Sequence, residues 1–475
     1  MNAAALLKVF QTAHQRAVAY QRPVIAVSSH AAPTLEALAL YEAHRQGFFW
    51  CAHSPDLTLF GLGCAWQIEA SGAQRMLDVN RQWFALCADA VIDGPKAPLL
   101  LGGMRFDEQQ PGAPHWAAFA DASFHLAHWL FSEDADGRWL RCQRVVEPGS
   151  DPAALTRDSL AAYAQLLNPP ALTATSPEVL ECTALPSPQW QAKVDLALQA
   201  IARGELSKVV LARHVDYQLD TPLDSGAVMR RLHARRNAAH LFALHRGEHC
   251  FMGATPERLL GCHDACLTTH ALAGSARRGI NADEDYAIGK RLLADPKEQH
   301  EHQLVVQTIT QALAGKVSEL QAAPRPDLLK LATVQHLSTP IVARLNTGKH
   351  LLDGVQALHP TPAVGGLPRA PALAFIREHE GFDRGWYAAP VGWLDANGNG
   401  DFLVALRSAL LAPTHCHAFA GCGIVEGSLP ANEYEETQIK LASMEQALQL
   451  SRPADTPGAY SRIHGETPYA STARR

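Results

Sequence analysis

The sequence predicts an α+β protein with antiparallel sheets, and three observations carry that expectation. Of its 475 residues, 47% are hydrophobic and 19% charged, which is enough apolar material for a large core and too much for global disorder. Short strand-like runs succeed one another without the regular strand–helix alternation that builds parallel sheets. The stretch "GWYAAPVGWLDANGNGDFLVALRSALL" reads as a hairpin, because its "ANGNG" centre supplies the asparagine–glycine chemistry that tight reversals favour.

The chain opens on "MNAAALLKVFQTAHQRAVAY", polar and apolar residues alternating with helical period and no continuous apolar stretch of the kind a signal peptide needs. Strands are expected at "PVIAVSSH", "GFFWCAH", "LTLFGLGCAWQIEA", "APLLLGGMRFD" and "RWLRCQRVVE", with a helix over about 73–90 among them. Residues 168–189 are rich in Pro, Ser and Thr and read as a linker between an N-terminal region, 1–167, and a second region, 190–451. That second region begins with a helix, "QWQAKVDLALQAIARGE", and a strand, "SKVVLARHVDYQL", and then mixes strands with long helices. The polar tail 452–475 is expected to fray.

Composition also narrows the function. A formal charge of −6 argues against a nucleic-acid surface, so an anionic ligand would need local cations. Ten cysteines without a CxxC pair suggest reduced thiols and a cytoplasmic protein. "CHDACLTTH" (262–270) matches no standard zinc spacing. No run of about 18 apolar residues occurs, so no membrane span is expected.

Several side chains stand out against their local pattern. In "QHEHQLVVQTITQAL" (299–313), Val305, Ile309, Ala312 and Leu313 form one helical stripe, and Glu301, four residues before Val305, extends it. Alone, Glu301 is a first-turn glutamate complementing the helix dipole. In "ANEYEETQIK" (431–440), Glu435 projects opposite the apolar row of Tyr434, Leu441, Met444 and Leu448, whereas Glu433, Glu436 and Lys440 share one flank at spacings of three and four. Glu301 and Glu436 together could clamp one hard divalent ion, for which Mg²⁺ is suited because it takes few carboxylates and keeps its waters. His300 and His302 are two apart and face different ways, which excludes an HExxH zinc site.

Lys208 in "SKVVLARH" is either a strand-end lysine reaching for water or a base whose ammonium burial disfavours. Glu257 in "FMGATPERLL" is a turn glutamate on its own and the acid of a couple if Lys208 is the base. In "LRSALLAPTHCHAFAGCGIV", Arg407 is expected on a strand and Gly421–Gly423 as a turn whose free N–H groups, with Arg407 and Lys440, could hold a carboxylate. Such a set fits metal-assisted chemistry on a small polycarboxylate.

Taken in order, "KVVLAR", "GATPERLL", "ALAGSARRG", "DPKEQHEHQLVV", "VQHLSTPI", "ALHPTPAVGGLPR", "EGFDRGWYAAPVGWLDANGNGDFLVALRSALL", "FAGCGIV" and "EYEETQIKL" resemble the chorismate-utilising enzymes, the family of isochorismate, salicylate, anthranilate and aminodeoxychorismate synthases. Upstream, "LFGLGCAWQIEA", "LCADAVIDGPKAPLLLGGMRFD" and "HWAAFADASF" resemble isochorismate synthases that feed salicylate and pyochelin-type siderophore synthesis. The resemblance implies a single α+β body with two large antiparallel sheets enclosed by helices and an active site between them. Lys208 then matches the base that activates water, and Glu257 the acid that protonates the departing hydroxyl. Glu301 and Glu436 match Mg²⁺ ligands, with Glu433 reaching the ion through water. Gly274, His336, Arg407, Gly421, Gly423 and Lys440 match substrate-contacting positions.

Ala363 in "HPTPAVGG" stands where ammonia-using and salicylate-forming relatives carry threonine, which implies water as the nucleophile and isochorismate as the product. Tyr387 in "RGWYAAP" also occurs in relatives that go on to eliminate pyruvate, so salicylate synthase is the alternative. A non-catalytic chorismate-binding protein is the reading from another class. No glutaminase stretch of the "GxCLGHQ" kind is present, so no glutaminase subunit is expected; a downstream isochorismate-pyruvate lyase is the implied pathway partner.

Overall fold

The computed structural model describes residues 2–53, 56–173, 176–235, 239–330 and 334–450. The expected tail, 452–475, lies outside them. Two sheets form the body, one of 13 strands and one of 10, and apart from the parallel pairing of Val24–Ala31 with Val91–Asp93 their ladders are antiparallel.

Both sheets are assembled from distant parts of the chain. Strand Phe48–His53 pairs with His240–Arg246 in the larger sheet (Cys51 opposite Leu241), and Leu99–Met104 pairs with Pro390–Asp395 in the smaller (Gly103 opposite Val391). The N-terminal region is therefore woven into the same unit as the rest. The expected linker contributes a strand of its own: Val179–Ala184 lies at the edge of the larger sheet against Lys208–Leu219. The flanking prolines and threonines mask that short alternating run in the sequence.

One face of the larger sheet, through Trp50, Phe242 and Phe251, packs on Leu101, Phe124, Leu260 and Phe402 of the smaller sheet. Its other face is covered by helices Ala3–Tyr20, Ala37–His44, Ser225–Ala234 and Pro430–Leu448, which insert Phe10, Tyr41, Met229 and Met444. In the last of these helices the expected row of Tyr434, Leu441, Met444 and Leu448 is buried and Glu435 is exposed. The Pro390–Asp395 and Gly400–Val404 hairpin forms as expected.

Among the described residues the chain changes sheet eight times, and two of these crossings organise the site. "LTLFGLGCAWQIEA" is not one strand: it breaks at Gly63, whose φ of +70° redirects the chain from Asp56–Leu62 in the larger sheet to Trp66–Ala70 in the smaller. Another crossing joins His249–Thr255 to Arg258–His263, and a later one returns from Gly400–Val404 to Ser408–Leu411. These two lie side by side. The N–H of Val404 donates to the Glu257 carbonyl at 3.0 Å, that of Ala254 donates to the Arg407 carbonyl at 3.1 Å, and the Thr255 hydroxyl donates to the Val404 carbonyl at 2.6 Å.

Candidate active site

A cavity of about 590 Å³ opens beside these crossings, and every site residue expected from the sequence except Glu433 lines it. Glu257 and Arg407 each occupy one of the two adjacent crossings, so the sheet change itself brings the carboxyl and the guanidinium together. Arg407 is not on a strand: it sits in a bend with φ of 47°, directly before Ser408–Leu411. Burial lowers its pKa, opposed by Tyr387 and Glu436.

Lys208 begins strand Lys208–Leu219, which pairs with His415–Val425 so that Val210 faces Gly423 and Ala212 faces Gly421. Gly421–Gly423 is thus strand, where a turn was expected. Its donors are nonetheless available. The N–H groups of Val210 and Ala212 bond outward, to the Gly365 carbonyl at 3.0 Å and to Glu380 Oε2 at 2.7 Å. In antiparallel pairing the residues opposite them must also direct their N–H groups outward, on the other side. There the flanking strand Ser408–Leu411 pairs only as far as Ala418, leaving the edge open beside Arg407. A Cβ at position 423 would lie 3.0 Å from Lys208 Cε, so glycine there makes room for the lysine.

Glu257 is the most perturbed acid in the cavity. Burial pushes its pKa up from 4.5 to about 7, against the opposing pull of the Lys208 charge, the Thr361 hydroxyl and the Lys440 charge. Thr361 belongs to a tight turn, closed by bonds from the Val364 and Gly365 N–H groups to the Thr361 carbonyl at 3.1 and 2.9 Å. Ala363 lies inside that turn and contributes no more than a methyl to the cavity wall.

The acidic side is built from two helices. Glu301, on Pro296–Leu313, follows the predicted stripe: Val305, Ile309 and Leu313 are buried and Glu301 is half-buried, 3.9 Å from Lys208 Nζ. Glu436 pairs with Lys440 at 2.5 Å, and Lys440 Nζ also donates to the Gly421 carbonyl at 2.9 Å. Glu433 stands behind them, half-buried and outside the cavity lining, its pKa raised by burial and by the Glu436 charge. Gly274 forms a bulge with φ of +74° opposite Val334–Leu345, and next to it Ser275 Oγ meets His336 Nδ1 at 2.7 Å. Burial lowers the His336 pKa. His302 points away to Thr339 Oγ1 at 2.6 Å and pins its helix to the sheet.

Glu298 escaped the sequence reading. Its pKa is raised by burial and by Glu301, and a Cβ on Gly274 would come within 3.0 Å of its Oε2. The signal was its position one turn before Glu301. Two pairs of neighbouring carboxylates, Glu298–Glu301 and Glu433–Glu436, each carrying a like-charge penalty, suit a hard cation that would relieve it. Among the described residues no group of three or more Asp, Glu, His or Cys converges on one point. Such an ion would therefore keep waters or substrate oxygens, as Mg²⁺ does.

Two antiparallel sheets closed over a cavity that pairs a near-neutral carboxyl with a lysine, and flanks them with acids and cations, define an enzyme acting on a small anion. Residues 9–449 match the family described as "Chorismate binding enzyme", and the chain belongs to it. It is 44% identical over 94% of both chains to the salicylate biosynthesis isochorismate synthase of Pseudomonas aeruginosa. It is 36% identical to isochorismate synthase MenF of Bacillus subtilis, over 84% of this chain and 87% of that one. Among solved structures, MenF, the menaquinone-specific isochorismate synthase of Escherichia coli, superposes with a TM-score of 0.78 at 28% identity, covering 93% of this chain and all (100%) of that one. Anthranilate synthase component I of Streptococcus pneumoniae shares the fold, with a TM-score of 0.68 at 22% identity over 82% of this chain and 92% of that one. No helix among the described residues is long and apolar enough to cross a membrane.

Proposed function

We propose that this chain is an isochorismate synthase, an isomerase that converts chorismate to isochorismate. The carrying observation is a carboxyl that is half-protonated near neutrality, Glu257, in one cavity with Lys208 and the small Ala363. The three isochorismate synthases named above, each matched over most of its length, support the same reading.

In this reaction water adds at C2, and Lys208 is the base that takes its proton. The ring double bond shifts and the C4 hydroxyl leaves as water with the proton of Glu257. One proton is taken and one given, so the net change is isomerisation and the reaction runs near equilibrium. Ala363 leaves space for water where a threonine would crowd it. Arg407, the Gly421 and Gly423 N–H groups and Lys440 hold the substrate carboxylates, and His336 and the Gly274 bulge line the opposite wall. Glu301 and Glu436 would hold Mg²⁺, with Glu433 contacting it through water. The ion would neutralise a substrate carboxylate that four glutamates would otherwise repel. A cytoplasmic setting and a separate lyase that draws isochorismate toward salicylate and a siderophore complete the proposal.

The test is incubation of the pure protein with chorismate and Mg²⁺ followed by chromatography. Isochorismate alone is expected. Salicylate with pyruvate would instead make the chain a salicylate synthase, and unconverted chorismate would make it a binding protein.

A further inference from the structure

We propose that the buried Arg384–Glu380 pair is a positioning device for this reaction, holding the Thr361–Gly365 turn in register with the strand that carries Lys208. The proposal rests on the acid–base reading above. It concerns two residues to which that reading gives no part.

Arg384 and Glu380 are each 1% exposed, and their charges meet in a two-pronged contact, Nε to Oε1 and Nη2 to Oε2, both 2.6 Å. The remaining contacts go to backbone. Arg384 Nη1 donates to the Val364 carbonyl at 2.9 Å and Nη2 to the Val210 carbonyl at 2.8 Å. Glu380 Oε2 accepts the Ala212 N–H at 2.7 Å. The Phe106 ring lies against the guanidinium, 4.3 Å from centroid to Cζ.

These bonds fall in a gap. Along the outer edge of Lys208–Leu219, the short strand Gly366–Leu367 covers Lys208 and Val209, and Val179–Ala184 covers Val215 onward. Between them no strand runs among the described residues. The ion pair takes that place, giving a donor to Val210 and an acceptor to Ala212 as a neighbouring strand would. The bond from the Val210 N–H to the Gly365 carbonyl is the last backbone tie between this edge and the turn. Ala363 and Thr361 lie beyond it, and Arg384, through the Val364 carbonyl, adds a side-chain tie from this edge to the turn that holds them. The strand so registered carries Lys208, whose charge is the largest influence opposing burial on the Glu257 carboxyl. One guanidinium thus spans the segment bearing the base and the turn that brings Ala363 to the cavity wall.

A buried ion pair seldom adds net stability over an apolar pair of similar volume, so stability alone does not account for it. Lysine would not replace arginine here, because an ammonium cannot make the fork to the carboxylate and reach both carbonyls.

The test uses the full-length protein with Arg384→Lys and the double variant Glu380→Met/Arg384→Met. Arg384→Lys should unfold cooperatively in urea, lose at least tenfold in kcat and keep KM within about threefold. The double variant should regain stability but not kcat. Recovery of kcat in the double variant, or kcat within twofold in Arg384→Lys, would overturn the proposal. A second readout needs no substrate. The carboxyl titration of Glu257, followed by carbon NMR and assigned with Glu257→Gln, should move by at least half a pH unit in Arg384→Lys, and an unmoved midpoint would overturn positioning. Failure of the wild type to convert chorismate would sink the functional reading, and the titration would then decide the positioning claim by itself.

Discussion

Replacing Glu257 by glutamine should make the protein more stable above neutrality while it abolishes catalysis. In the unfolded chain this carboxyl titrates at its ordinary 4.5, and in the folded chain at about 7. Below pH 4.5 it is protonated in both states and contributes nothing to the pH dependence. As pH rises from 4.5 to 7 the unfolded chain gives up the proton first, so stability is lost across that window and the loss is complete above it. At 1.36 kcal/mol per unit, the shift corresponds to about 3 kcal/mol, an upper figure because the cavity admits some water. Glutamine keeps the shape and never ionises. Urea unfolding of the wild type and Glu257→Gln at pH 5 and pH 8 isolates the effect, since all other titrating groups cancel in the difference. The variant should gain about 2–3 kcal/mol more at pH 8 than at pH 5. Chorismate turnover should fall by about two to four powers of ten. A stability difference that is the same at both pH values would refute the assignment of a raised pKa to Glu257.

The other expectations are quicker to state. Wild-type kcat/KM should decline as pH rises through about 7, where the Glu257 proton is lost, and a flat profile from pH 6 to 8.5 would count against its role as the acid. Lys208→Ala should remove turnover by about 10²-fold or more and leave the circular dichroism spectrum unchanged, retained activity being the contrary outcome. Glu301→Gln and Glu436→Gln should each shift the Mg²⁺ titration of activity to higher concentration; a superimposable titration contradicts their role as ligands. Gly423→Ala brings a methyl to 3.0 Å from Lys208 Cε and should cut kcat at least tenfold with little change in the urea midpoint.

Periodicity made the faces legible. The stripe from Glu301 to Leu313 and the split of Glu435 from Glu436 follow from helical spacing alone, and the structure repeats both, Glu436 lining the cavity and Glu435 not. What spacing does not encode is which strands become neighbours. Period two says which face a residue occupies, but the open edge beside Gly421 and Gly423 exists only because Ser408–Leu411 stops short, 13 residues earlier in the chain at Ser408. The same limit hid the bend at Arg407 and the edge strand Val179–Ala184. Glu298 and Thr361 were missed for another reason: each is ordinary in its own segment and acquires meaning from a residue on a different one. The resemblance supplied the pairings that local pattern lacked, and the cavity collects the residues it singled out, Glu433 excepted.

The interleaving of the two sheets also sets an order on synthesis. Strand Phe48–His53 leaves the ribosome roughly 190 residues before its partner His240–Arg246, and Leu99–Met104 precedes Pro390–Asp395 by roughly 290. At about 5–20 residues per second those edges wait on the order of 10–60 seconds with open backbone and apolar faces. The nascent N-terminal third thus keeps one strand edge of each sheet unpaired until the later half is made, and the catalytic cavity is among the last features to close.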